Sequence, residues 1–160
     1  MAPLTFQGQF RTRRACRHAR PATRHPPLLA ATLAQLTNIL RDVGEDRVRQ
    51  RIYLPQEDLR KFGVTEQSLL KGVKDDKYVA LMKFQIARAR YWYKVAEDGI
   101  PMLSEDARLP VRASLDMYST ILDKIEANNY DNFNKRAYTS KFEKLMIVFT
   151  KSVFNVRKLK

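Results

Sequence analysis

Residues 29–46 read LAATLAQLTNILRDVGED, and this stretch decides the class of fold. Apolar side chains recur in it at spacings of four and three residues: Leu29, Leu33, Leu36, Leu40 and Val43. Such spacings place them on one face of an α-helix, because an α-helix turns once in about 3.6 residues. We therefore expect the first core helix to run to about Val43.

The rest of the chain also carries the signals of helices. Pro55 can open a short helix that Gly63 ends, and Thr65 can cap a second one that Gly72 closes. Three longer helices are predicted from Asp75 to Gly99, from after Pro110 to Asn128 and Asn129, and from about Ser140 to Phe154. With only 5 Gly and little alternation of β-branched residues, the sequence predicts an all-α fold.

The N-terminal segment differs in composition from the remainder. Residues 1–33 hold six Arg and no acid, whereas all 17 acids lie between Asp42 and Glu143. We predict a disordered basic leader at residues 1–27 and one helical domain at residues 28–160. An Arg-rich, acid-free N-terminus is typical of an organelle transit peptide, although this one has no Ser. An artefact of the gene model or a truncation is the alternative.

Charge and composition exclude several classes of protein. The net charge of +13 is compatible with nucleic-acid binding, but no nucleic-acid motif is present and Asp42, Glu45 and Asp46 would repel phosphate, so we expect no nucleic-acid partner. Cys16 stands alone, which excludes a disulfide framework. The longest apolar run, Leu145–Phe149, is far shorter than the ~20 residues of a membrane span.

A polar ridge accompanies the apolar face of the first helix. On a helix turning 100° per residue, Gln35, Asp42 and Asp46 fall within about 20° of one another, and Asn38 lies within about 60°. No residue three or four positions from Asp42 is basic, so the ridge lacks a cation. Magnesium ions prefer oxygen ligands. Two carboxylates one helical turn apart can therefore bind magnesium ions that also contact a diphosphate. A solvated acidic face is the alternative.

The same residues carry a resemblance to a known family. The segment QLTNILRDVGED at 35–46, followed by RIYLP at 51–55, resembles the second aspartate-rich motif of the squalene and phytoene synthase family. The Val43–Gly44 pair resembles the phytoene synthase branch. The similarity covers about residues 34–160, and it continues through QIARAR at 85–90, LPVRAS at 109–114 and IEANNYDNFNKRAY at 125–138.

This resemblance implies a fold, a reaction and a cofactor. The fold is the C-terminal half of the all-α isoprenoid-synthase fold. The implied reaction is the head-to-head condensation of two geranylgeranyl diphosphates to phytoene in carotenoid biosynthesis, with Mg²⁺ or Mn²⁺ and without the reductant of squalene synthases. It also implies a plastid location, or the cytoplasm for a bacterial protein, and peripheral association with a membrane.

The resemblance further implies the roles of individual residues. Asn38, Asp42 and Asp46 match the metal ligands. Asp42, Asp46 and Tyr53 match catalytic positions, and the ring of Tyr53 would face a passing cation in the prenyl cavity. The substrate-binding set comprises Gln35, Asn38, Arg41, Tyr118 and Arg136. For Arg41, Tyr118 and Arg136, ordinary packing or surface ion pairing is the alternative.

One expected motif is missing from the chain. Members of the family bind the first diphosphate through another aspartate-rich motif in their N-terminal half, and none precedes Leu29. We therefore expect that the chain does not make phytoene by itself. The alternative function is a catalytically incomplete module that binds a prenyl diphosphate with its metal, a membrane surface or a full-length homologue.

Overall fold

The computed structural model describes residues 26–152, and within this range the chain is helical without a strand. The all-α prediction is thereby confirmed. The predicted leader, apart from its last two residues, lies outside the described residues. The helices are α1 (Pro26–Arg41), α2 (Val43–Val48), α3 (Gln56–Phe62), α4 (Glu66–Lys71), α5 (Asp76–Asp98), α6 (Glu105–Ala127) and α7 (Lys141–Met146). A 3₁₀ turn, Ile100–Met102, joins α5 to α6, and α7 continues as a π-helical segment, Ile147–Ser152.

Three long helices form the core. Helix α1 packs against both α5 and α6, and these two also pack against each other. The predicted apolar face of α1 is confirmed, because Leu33, Leu40 and Val43 are buried while Leu29 and Leu36 pack against the core. Burying one such side chain fully stabilises the fold by about 1.5–3 kcal/mol. The core therefore fixes α1, and with it the polar ridge beside the buried face.

The short helices end where the sequence predicts. Gly63 and Gly72 close α3 and α4 with φ of 66° and 72°, a left-handed conformation that glycine adopts without strain. Thr65 accepts a hydrogen bond from the backbone N–H of Ser68 and so caps α4. These stops let α3 pack on α5 and α4 pack on α2.

Two predicted helix boundaries are different in the structure. Helix α1 ends at Arg41 rather than Val43, since Asp42 departs from helical geometry with φ −97° and ψ 12°. The hydrogen bonds continue through this break: the N–H of Asp42 donates to the Asn38 carbonyl at 2.8 Å, and the N–H of Asp46 donates to the Asp42 carbonyl at 2.9 Å. The ridge therefore bends at Asp42 and keeps its helical spacing.

The predicted start of α6 after Pro110 is wrong. Helix α6 begins at Glu105, and Pro110 lies in its second turn. A proline there removes one N–H donor near the helix end, while Glu105 and Asp106 suit the positive end of the helix dipole. The side chain of Arg108 also donates to the carbonyls of the preceding turn. The predicted end at Asn128 is confirmed.

The last helix begins as predicted and then changes its winding. Ser140 and Glu143 form a capping box at the start of α7. The chain is α-helical only to Met146 and π-helical from Ile147 to Ser152, and this π-helical segment packs against α6. The predicted end at Phe154 lies outside the described residues.

Candidate functional site

Asp42 is bonded to two arginines at the junction of α1 and α2. The Arg41 guanidinium donates to both carboxylate oxygens, from Nε to Oδ1 at 2.7 Å and from Nη2 to Oδ2 at 2.6 Å. Arg136 lies in the loop after α6, and its Nε donates to Oδ1 of Asp42 at 3.0 Å while its Nη1 pairs with Glu45 at 3.0 Å. The structure thus brings together Arg41, Asp42 and Arg136.

The charges at this junction stabilise each other. Partial burial by itself raises the pKa of Asp42, but the hydrogen bonds from Arg41 and Arg136 outweigh burial and hold the pKa below its usual value. The hydrogen bond to Asp42 is also the main cause of a raised pKa at Arg41. At neutral pH the site therefore contains an ionised carboxylate between two guanidinium groups.

Asp46 lies one turn later in a different environment. Partial burial and then the negative charge of Asp42 raise its pKa, and the nearby Arg49 and Arg51 offset this only in part. One turn before Asp42, the Oδ1 atom of Asn38 is buried and accepts no hydrogen bond within the described part of the chain. Carboxylate repulsion and an unpaired amide oxygen are both conditions that a hard cation would relieve.

The residues present therefore fit a divalent cation that also takes ligands from its substrate. Among residues 26–152, no group of three or more His, Cys, Asp or Glu side chains could hold a metal ion. The set is one amide oxygen, from Asn38, and the carboxylates of Asp46 and Asp42. The Asp42 oxygens are here bonded to Arg41 and Arg136, so a cation would have to displace or share these contacts. Magnesium commonly binds through one or two carboxylates, with water and phosphate oxygens completing its shell.

The two predicted tyrosines line depressions on either side of the ridge. Tyr53 is exposed and shares a small depression with Asp46 and Ile39. Tyr118 is half-buried on α6 and lines a pocket of about 130 Å³ together with Arg41. The remaining lining residues of that pocket are Met117, Ile121, Tyr138, Thr139 and Lys144.

Gln35 is the one predicted site residue that the structure does not draw into this group. It is exposed on α1, and its side chain hydrogen-bonds no other described residue. The other seven predicted residues lie on the ridge or beside it: Asn38, Arg41, Asp42, Asp46, Tyr53, Tyr118 and Arg136.

Sequence reasoning missed the contacts that hold Arg136 in place. Glu45 pairs with Arg136, and the side-chain amide of Asn132 donates to the Leu40 carbonyl at 2.6 Å. Gly44 allows the same loop to approach, because a Cβ atom there would lie 2.3 Å from the Asn132 carbonyl oxygen. The glycine inside an otherwise charged helix segment is the only one of these features that the sequence signals.

A family model described as squalene/phytoene synthase matches residues 8–143, which is most of the chain. The chain belongs to the squalene/phytoene synthase family. This confirms the resemblance inferred from the aspartate-rich motif. The match begins inside the predicted leader at residues 1–27, whose disorder stays a prediction. Synthases of this family use prenyl diphosphates and generally a divalent metal.

Close relatives carry phytoene synthase names. The chain is 59% identical over 112 residues to the 15-cis-phytoene synthase of Synechocystis sp., covering 70% of this chain and 33% of that protein. It is 53% identical over 123 residues to the chloroplastic phytoene synthase of Daucus carota, covering 75% of this chain and 31% of that protein. The chain thus spans about a third of the length of these relatives.

Solved structures agree on the fold. A dehydrosqualene synthase crystallised with a ligand superposes with a TM-score of 0.68 at 31% identity, over 83% of this chain and 45% of that one. YisP from Bacillus subtilis superposes with a TM-score of 0.69 over 78% of this chain and 50% of its own. At 23% identity, the second likeness concerns the fold alone.

Proposed function

We propose that the chain is the C-terminal half of a phytoene synthase, which joins two geranylgeranyl diphosphates head to head to form phytoene in carotenoid biosynthesis. The observation that carries this proposal is the ridge of Asn38, Asp42 and Asp46, in a chain 59% identical to a phytoene synthase. The unpaired Asn38 oxygen and the repulsion between the two carboxylates support its use as a cation site.

In this proposal the chain's own residues bind and orient the diphosphate. Asn38, Asp42 and Asp46 would hold Mg²⁺ or Mn²⁺, which when bound withdraws charge from the departing diphosphate. Arg41 and Arg136 are the guanidinium groups bonded to Asp42, and such groups suit paired hydrogen bonds to phosphate oxygens. Both arginines therefore belong to the substrate-binding set, and Gln35 extends it along α1.

Tyr53 and Tyr118 would form the walls of the prenyl cavity. The depression at Tyr53 is lined mainly by apolar side chains, including Ile39 and Leu54. Met117 and Ile121 are apolar lining residues of the pocket at Tyr118. Apolar walls exclude water from a carbocation, and an aromatic ring face attracts a cation electrostatically.

The relatives also support a location. Their names include chloroplastic and cyanobacterial proteins, so a plastid or a bacterial cytoplasm fits the family. We favour the plastid because segment 1–27 is Arg-rich and free of acids, two of the features of a transit peptide. Peripheral membrane association is part of the proposal, since the substrate tails and the product are lipids. Among residues 26–152, no helix has the length and apolarity needed to cross a bilayer.

A product assay distinguishes the enzyme from the incomplete binding module. We would incubate geranylgeranyl diphosphate and magnesium with this chain alone and with the joined protein, meaning this chain fused to the N-terminal part of the Synechocystis relative. We expect phytoene only from the joined protein, because the chain spans about a third of the length of that relative.

The N-terminal part of the relative, tested alone, is the control and should form no phytoene. A joined protein that folds and binds the substrate but releases no phytoene would favour the incomplete module. Phytoene made by the chain alone at an ordinary turnover would contradict its assignment as half of an enzyme.

A further inference from the structure

The C-terminal helix presents an apolar face to solvent. Phe142, Leu145, Met146 and Phe149 are all exposed, the two phenylalanines to 71% and 67%. Their spacing of three, one and three residues gathers them on one side of α7 and its π-helical continuation. Large apolar side chains that cluster on a surface mark a contact with another apolar body.

The orientation of this face is fixed by the rest of the helix. Ile147 and Val148 are half-buried, and the π-helical segment packs against α6. Nζ of Lys124 on α6 lies 2.7 Å from the Glu143 carboxylate, and Glu143 also accepts the Ser140 backbone N–H. The contacts with α6 on one side of the helix therefore leave the apolar face on the other side directed to solvent.

The apolar face has basic neighbours on its own helix. Residues 141–152, which form this helix, hold three Lys and one acid, Glu143, which is paired with Lys124. Lys141 and Lys144 are exposed on α7 itself. An apolar helix face with basic neighbours is the composition of helices that lie in the surface of an anionic membrane. Protein interface cores are instead depleted in lysine.

We propose that α7 and its π-helical continuation dock the protein on an anionic lipid surface. The apolar face enters the boundary of the acyl chains, and Lys141 and Lys144 pair with lipid headgroups. This inference rests on the membrane association proposed above and identifies the protein surface that contacts the lipid. Its test contains neither prenyl diphosphate nor magnesium, so its failure is separate from a failure of the proposed reaction.

The experiment is co-flotation of the full chain with vesicles of phosphatidylcholine, with or without an equal part of phosphatidylglycerol. We expect binding to the anionic vesicles that weakens as salt is added. Phe149→Glu should lower binding at least about tenfold, because it removes a large apolar group and adds a negative charge. Met102→Glu is the matched control: Met102 is 70% exposed in the 3₁₀ turn, and its variant should retain most of the binding.

A second variant reports on insertion directly and does not depend on a destabilising charge. In Trp92→Phe with Phe149→Trp, the only Trp would lie on the apolar face, and brominated lipids should quench its emission. Phe149→Leu should bind like the natural chain.

Three outcomes would overturn the inference. Equal losses in Phe149→Glu and Met102→Glu would show that only net charge matters. A dimer that Phe149→Glu dissociates, without lipid binding, would assign the face to a second copy. If the chain alone binds the vesicles but the joined protein does not, the apolar face packs against the rest of the fold.

Discussion

Gly44 determines how closely the Arg136 loop can approach the acidic ridge. A Cβ atom at this position would lie 2.3 Å from the Asn132 carbonyl oxygen and 2.8 Å from that of Phe133. Both are backbone atoms, so the loop can relieve such a contact only by moving. The same loop brings Arg136 to Asp42. The distance between Gly44 and this loop therefore affects both the stability of the fold and the geometry of the site.

We predict that Gly44→Ala destabilises the protein by about 1–3 kcal/mol, as overpacking in a tight interior usually does. In a solvent-exposed helix the same change would stabilise the protein by about 1 kcal/mol. The sign of the change in unfolding free energy therefore tells whether the close contact exists. Urea unfolding measures the difference.

Gly63→Ala is the control for this prediction. Gly63 has φ 66°, but a Cβ there meets only the Lys77 side chain at 3.8 Å, so conformational strain alone should cost about 1–2 kcal/mol. A Gly44→Ala variant as stable as the natural chain would refute the close approach.

The individual site residues differ in how far the sequence predicts them. Asn38, Asp42 and Asp46 follow from helical spacing and motif resemblance, because they are local in the chain. The ion pair between Arg136 and Asp42 joins residues 94 positions apart and depends on how the loop after α6 folds back. Helical periodicity holds no information about such a contact.

At the scale of elements, a buried carboxylate joins α3 to α5. Asp58 accepts hydrogen bonds from Nη1 and Nη2 of Arg88 at 2.7 and 3.0 Å, and from Nε2 of Gln85 at 2.8 Å. Burial alone raises the pKa of Asp58, but the bonds from Arg88 and Gln85 outweigh it and lower the pKa. Asp58 therefore stays ionised and paired at neutral pH.

We predict that Asp58→Asn destabilises the protein by about 3 kcal/mol at neutral pH, since it leaves Arg88 without its buried partner. Because the folded-state pKa is depressed, this stabilisation is present above the unfolded pKa of about 4 and is lost as pH falls through the folded value. The natural chain and the variant should thus approach each other in acid, which unfolding at several pH values measures.

Asp123→Asn is the matched control, because Asp123 pairs with Arg90 between α5 and α6 on the exposed surface. Its loss should change the free energy of unfolding by less than about 1 kcal/mol. If both substitutions change the free energy of unfolding equally, Asp58 does not stabilise the contact between α3 and α5 more than a surface ion pair would.

Local signals account for most of the helix boundaries. Thr65, Gly63 and Gly72 act through their own side chains or backbone freedom, so the sequence predicts them correctly. Pro110 misleads because a proline usually indicates a helix start, whereas α6 begins at Glu105 and contains Pro110. The π-helical winding after Met146 has no local signal in the sequence, and this segment packs against α6.

At the scale of the whole molecule, the helices of this chain match part of a larger helical fold. It aligns with 45% of the dehydrosqualene synthase chain and spans about a third of the length of its phytoene synthase relatives. The acidic ridge is held by the core helices α1, α5 and α6, which pack within this chain. We therefore expect the ridge to keep its arrangement in the joined protein.

The most direct test is calorimetric titration of the joined protein with geranylgeranyl diphosphate, with and without magnesium. We predict binding that requires magnesium and that Asp42→Asn and Asp46→Asn each weaken at least about tenfold, or about 1.4 kcal/mol. Asp98→Asn, which changes an exposed carboxylate at the end of α5, should bind as the unchanged protein does. Binding that persists unchanged without magnesium, or in Asp42→Asn, would contradict the assignment of the ridge as a metal and diphosphate site.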